Sequence, residues 1–163
     1  MNDGSRENGA DKSGPPVLRA RILSQSIRDL SFENFLRQRG GQKHGDLGFQ
    51  VTMNVEGTPL ESGEFESLFR LQIAATEKES KDSIYYLELE YSGVFSVDGL
   101  SQEQSRPFLL VECPRLLFPF VRRIVHDVTH DGGFEPFSLE LIDFNGLYQA
   151  ELARRSEPES RDT

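Results

Sequence analysis

Three successive segments of the chain alternate apolar and polar residues with a period of two, the spacing that sends one set of side chains to a sheet's buried face and the other to water. In FQVTMNV, Phe49, Val51, Met53 and Val55 fall on one side and Gln50, Thr52 and Asn54 on the other. In EFESLFRLQIAA the sets are Phe65, Phe69, Leu71 and Ile73 against Glu66, Arg70 and Gln72. In SIYYLELEYSGVFSV they are Tyr85, Leu87, Leu89 and Tyr91 against Tyr86, Glu88 and Glu90, with Gly93 placed to bend the strand before Val94, Phe95 and Val97. GTPLESG turns the chain between the first two segments, and the polar run TEKESKDS reads as a hairpin loop between the second and third. Upstream, Leu18, Ala20 and Ile22 run in twos before Ile27, Leu30 and Phe32 break the phase, which predicts one more strand over Val17 to Phe32 with a bulge or bend. FENFLRQRGGQKHGD then reads as a long crossing connection anchored by Phe35 and Leu36.

The later part of the chain changes period. In ECPRLLFPFVRRIVHDVTHDGGF, Pro114 suits a first helical position and Gly132-Gly133 a helix end, so a helix is expected from about Pro114 to His130, kinked at Pro119. Leu117, Val121, Ile124, Val125 and Val128 share its apolar stripe, whereas Arg122, Arg123, His126, Asp127 and His130 share the wet side. FEPFSLELID is a hydrophobic loop, and Asp143 caps a second helix over FNGLYQAELARR, with Leu147, Tyr148 and Leu152 on one face. Strands segregated from helices in this way give an α+β domain.

Little here supports catalysis. His126 and His130 stand four apart, a spacing that can bind zinc on a helix, but no Glu follows His126 and no third ligand is nominated. Cys113 sits at a helix start without a partner base and reads as a buried structural thiol. Neither G-x-S-x-G, a phosphate loop nor CxxC is present, so no cofactor and no metal is implied.

Composition narrows the function classes. With 36% hydrophobic and 28% charged residues over 163 positions, the chain is lean for a self-sufficient globule, and oligomerisation would supply the missing burial. A formal net charge of −9, from 27 acidic against 18 basic residues, argues against nucleic acid and for a basic partner. The longest apolar runs fall far short of the ~18 residues of a membrane span. MNDGSRENGADKSGPP lacks the apolar core of a signal peptide, and a single cysteine suits a reducing cytosol. The polar ends predict a disordered tail over 1–16 and a mobile tail over 154–163, flanking a domain over 17–153.

The segments DLSFEN, SGVFSV, CPRLLFPFVRR and DGGFEPFSLELIDFNGLY, in this order, resemble the SecB family of bacterial protein-export chaperones over about residues 17 to 153. The resemblance implies a four-stranded antiparallel sheet with two C-terminal helices, assembled as a dimer of dimers. It implies an ATP-independent chaperone that holds unfolded secretory precursors and delivers them to the SecA motor. By position it places a client groove at Val51, Met53, Leu147 and Tyr148, SecA contacts at Asp29, Glu33, Tyr86 and Glu88, and tetramer contacts at Leu87, Leu89 and Tyr91. The residue reading alone leaves a small-molecule or lipid carrier with an apolar groove, and a metal-dependent enzyme at His126 and His130, as the competing classes. One departure from the family stands out: Phe35 to Gly41 lacks the prolines that many members carry after the Phe-Glu-Asn triplet.

Overall fold

The alternating segments form one antiparallel sheet. The computed structural model describes residues 19–156; the tail expected over 1–16, and the part of the tail expected over 154–163 that follows Ser156, lie outside the described residues. Strands β1 (Arg19–Asn34), β2 (Leu47–Pro59), β3 (Phe65–Glu77) and β4 (Ser83–Asp98) stand in the order β1-β4-β3-β2, so β1 and β2 are both edges. The connection between them starts with a single turn, α1 (Phe35–Gln38), whose Leu36 is buried. The chain turns at Leu60–Glu64 instead of at Gly57, because β2 stays paired with β3 as far as Pro59.

β1 shows why its sequence loses phase. Its pairing with β4 shifts between Ile22 and Ser24 and again between Ile27 and Asp29, leaving Leu23 and Arg28 as extra residues. Each bulge absorbs one position. Ile22, Ile27, Leu30 and Phe32, oddly spaced in sequence, therefore lie opposite Phe95, Tyr91, Leu89 and Leu87 on a single face.

The helical part begins earlier than the pattern suggested. α2 (Gln102–Pro107), a π-helical turn over Phe108–Glu112 and α3 (Cys113–Asp131) follow one another with right-handed helical backbone at both junctions. Ser101 and Gln104 form a reciprocal capping box at the true start. The wide turn, in which Cys113 N–H reaches the Phe108 carbonyl, lies just before Pro114, whose ring would crowd the carbonyl four residues back. The irregularity sits there, and α3 runs through Pro119 without a break. Its stripe is as expected: Leu117, Val121, Ile124 and Val125 are buried, whereas Arg122, Arg123, His126 and His130 are exposed.

Three small residues set the distance between this rod and the sheet. Gly57, Ser67 and Gly93 lie side by side across β2, β3 and β4. A Cβ on Gly57 would come within 2.6 Å of Leu109 Cβ, and one on Gly93 within 2.7 Å of Leu117 Cδ2. Gly93 thus does not bend β4, whose pairing passes through it without a shift; it makes room for Leu117. Gly93→Val is expected to cost roughly 1–3 kcal/mol by overpacking, read as a lower denaturant midpoint at fixed protein concentration; an unchanged midpoint would refute this close-approach account.

Candidate functional site

β2 extends past the helical rod, and its helix-side row is only partly covered. Met53 and Val55 are half-buried, whereas Phe49 and Val51 are 47% and 45% exposed. Opposite them in β3 stand Ala75, Ile73, Leu71 and Phe69, all buried, so this row borders the core.

At one end of the row lies a groove of about 1150 Å³, with Met53, Val55 and Phe65 from the sheet, Leu109 from the π turn, and Leu147 and Tyr148 from α4 (Phe144–Ser156). α4 is seated by a single buried residue, Phe144, which packs edge-on against Phe69 at 6.0 Å and Phe118 at 5.9 Å. Asp143 caps it, accepting Gly146 N–H at 3.0 Å. Leu147 is consequently left 53% exposed over the groove. Glu151 and Arg154 also line it; Arg154 and Arg155 both donate to Glu151 and hold its carboxyl down at about 2.

The other end of the row opens into a smaller cavity of about 320 Å³ with an aromatic floor of Phe49, Tyr85 and Phe134. Tyr85 and Phe134 lie 4.7 Å apart, and Phe49 meets Phe137 edge-on at 4.9 Å. Phe134 is delivered by the end of α3. Gly133, at φ 87°, lets its own N–H reach the His130 carbonyl and Phe134 N–H reach that of Thr129, a Schellman closure. Thr129, fully buried, then accepts Phe137 N–H at 2.9 Å and pins the following loop to the helix. The crossing connection forms the near wall. Glu77 accepts Ser80 Oγ–H at 2.6 Å and the Gly45 N–H, and these two bonds lower its carboxyl below the ordinary range.

Of the residues expected to form a groove, the structure brings Met53, Leu147 and Tyr148 together, and sets Val51 on the same row between the two cavities, lining neither. Phe49, Phe134, Phe137 and Phe65 complete the surface. Only Phe49 and Phe65 carried a signal, through the alternation of their strands.

The acidic set also converges. Glu33 lies opposite Tyr86, Asp29 opposite Glu90 and Ser31 opposite Glu88, which puts Asp29, Glu33, Tyr86 and Glu88 on the sheet's outer face. The bulge at Arg28 is what brings Asp29 into line with the other acids. The neighbouring Glu88 carboxylate raises the Tyr86 hydroxyl above its ordinary value. Glu90 is paired with Arg70 at 2.8 Å and Arg28 at 3.6 Å, whereas Asp29, Glu33 and Glu88 have no ion pair among the described residues.

One expectation is corrected. Leu87, Leu89 and Tyr91 are 0%, 1% and 6% exposed, because the helical rod covers their face within a single chain. Their side chains have no surface left for a second copy. The open apolar band is one strand over: Ile22, Ile27 and Leu30 of β1 are 40%, 46% and 38% exposed on the helix side of the sheet. It continues onto Leu116 and onto Phe120, which stacks on Tyr91 at 6.3 Å.

Cys113 is fully buried, and burial pushes its thiol up to about 12. His126 and His130 are exposed, and among the described residues no group of three or more His, Cys, Asp or Glu side chains is placed to hold a metal. No helix among them is long and apolar enough to cross a membrane.

Residues 14–155 match the family described as preprotein translocase subunit SecB. The chain is 49% identical over 150 residues to the protein-export protein SecB of Dinoroseobacter shibae, covering 90% of this chain and 87% of that one. It is 45% identical over 143 residues to that of Ruegeria pomeroyi, covering 86% of each. Among solved structures it is similar in fold to a SecB-like chaperone of Mycobacterium tuberculosis in complex with a peptide from an antitoxin, with a TM-score of 0.62 at 14% identity over 77% of this chain and 91% of that one.

Proposed function

The chain belongs to the SecB family of protein-export chaperones, and we propose that it takes hold of unfolded precursor segments along the helix-side row of β2, from the aromatic cavity at Phe49 to the groove under α4. The observation that carries this reading is the half-covered row itself. Phe49, Val51 and Met53 offer apolar surface in line, flanked at both ends by recesses that can take a bulky side chain. Burying apolar client surface there yields roughly 25 cal/mol for each Å² removed from water, with no bond made or broken. An open track suits a polymer running through it better than a small ligand, which pockets enclose over most of its surface. Met53 adds an adaptable side chain to the row. The test is suppression of aggregation of a denatured precursor without nucleotide, and its loss when the row is made polar.

The outer face supplies a second surface. Asp29, Glu33 and Glu88, with Tyr86, are the contact for SecA in this reading, because carboxylates that have no ion pair among the described residues complement a basic patch. Glu88→Lys is expected to weaken SecA binding by about tenfold, in line with a charge reversal at an interface, and to leave client holding within about twofold. Equal loss of both in a titration would mean that the substitution had damaged the fold.

Self-association is assigned to the open band of β1 and α3. Ile22, Ile27, Leu30 and Leu116 are the apolar side chains that a second copy would cover in forming the dimer of dimers. That burial would make good the lean core of the single chain.

A further inference from the structure

The two edges of the sheet are built differently. β1 is interrupted by the bulges at Leu23 and Arg28, a device that blunts an edge against further pairing. β2 pairs with β3 from Leu47 to Pro59 without a shift, and from Gly48 to Val55 it carries no charged side chain. A long, regular, uncharged edge is a template for another strand.

The hydrogen-bonding phase of that edge can be read from both of its ends. Lys78 N–H donates to the Asp46 carbonyl at 2.9 Å, and Leu60 N–H to the Glu64 carbonyl at 2.8 Å. Both pairs continue the register in which Leu47 faces Glu77 and Pro59 faces Phe65. Antiparallel ladders alternate bonded and unbonded pairs. The even-numbered residues of β2 therefore direct their backbone groups to β3, and Phe49, Val51, Met53 and Val55 turn theirs to the open edge. Pro59 fits the same phase, since the N–H it lacks would point outward.

The residues with free backbone groups are thus the same ones whose side chains form the helix-side row between the two recesses. We infer that an unfolded segment is held as a fifth strand on β2, its main chain paired with Phe49, Val51, Met53 and Val55 and its alternate side chains lodged in the groove. This rests on the groove assignment made above and says how that groove grips. Backbone donors and acceptors are alike in every extended polypeptide, so pairing of this kind supplies affinity without demanding a sequence. A client segment is the occupant because the edge is continuous with the client groove, whereas the apolar band suited to a second copy lies on the opposite edge.

The experiment uses the full chain and a fluorescent peptide with bulky apolar residues at alternate positions, which pins its register. Two further versions carry N-methyl groups on one or the other alternate set of amides. One set is expected to weaken binding about tenfold or more, as two or three backbone hydrogen bonds are removed, and the other set to change it by less than about twofold; equal affinities for the two would overturn the inference. Amide hydrogen exchange gives the matching readout on the protein. Phe49, Val51, Met53 and Val55 should exchange fast alone and slowly with peptide, while Gln50, Thr52 and Asn54 are slow in both. Protection of the first set without peptide, rising with protein concentration, would give the edge to a second copy and equally overturn the inference. Met53→Asp separates the two levels: peptide binding that survives it refutes the groove, whereas binding lost to it but indifferent to the position of the N-methyl groups refutes only the strand pairing.

Discussion

Replacing Val51 and Met53 together by aspartate is expected to abolish the hold on a denatured precursor while leaving secondary structure and oligomeric mass unchanged. Val51 is 45% exposed and Met53 is half-buried at the border of the core, so both substitutions leave the fully buried side chains in place. What changes is the surface offered to the client. Two carboxylates would have to be desolvated without partners wherever an apolar segment lay down, and the apolar contacts of two side chains would be lost as well. Together these amount to a loss on the order of a hundredfold in affinity. Light scattering from an aggregating precursor, with equimolar chain and no nucleotide, reads the effect. Thr52→Asp, on the outer face of the same strand, is the control and should protect as the natural chain does. Protection by the double variant equal to that of the natural chain would refute the groove, and failure of the natural chain at every ratio would refute holding altogether.

Ile27→Asp combined with Leu30→Asp should break the assembly. The natural chain is expected to run at four times its 18.5 kDa mass and the double variant at a smaller multiple. Both residues lie on the open face of β1, where aspartate is harmless in a single chain but would be buried unpaired against a second copy, at a cost of several kcal/mol per charge. Leu89→Asp provides the contrast: at 1% exposure it belongs to the core of one chain, and its replacement should unfold the protein. Multi-angle scattering after size exclusion distinguishes the two outcomes. A four-chain mass that persists in the Ile27 and Leu30 variant would move the interface elsewhere.

The fold was legible where periodicity was clean. β2, β3 and β4 follow their alternation, and the acids of the outer face fall in line once β1 is paired. The direction of burial was harder to read. Leu87, Leu89 and Tyr91 form an apolar row, but a row of that kind serves equally against a helix in the same chain or a strand in another. Only the position of the rod over β3 and β4 decides between them. The rod's own beginning was hidden by composition: Gln102 to Arg106 is polar, and Pro107 looks like a helix breaker, although Ser101 and Gln104 spell a capping box. The aromatic cavity was hidden by distance in sequence, since Phe49 shares its lining with Phe134 and meets Phe137 only through the end of α3 and the loop that Thr129 ties down.

The bulges of β1 also bear on how such a chain tolerates changes of length. At Leu23 or Arg28 the strand already carries a spare position, so losing either residue removes the bulge and leaves Ile22, Ile27 and Leu30 facing the helices. β2 has no such slack. Deleting one residue from its middle would exchange the inward and outward rows on one side of the lesion, turning groove residues to the outer face. Single-residue insertions and deletions should therefore accumulate among related chains in the strand assigned to self-association, and be excluded from the strand assigned to clients.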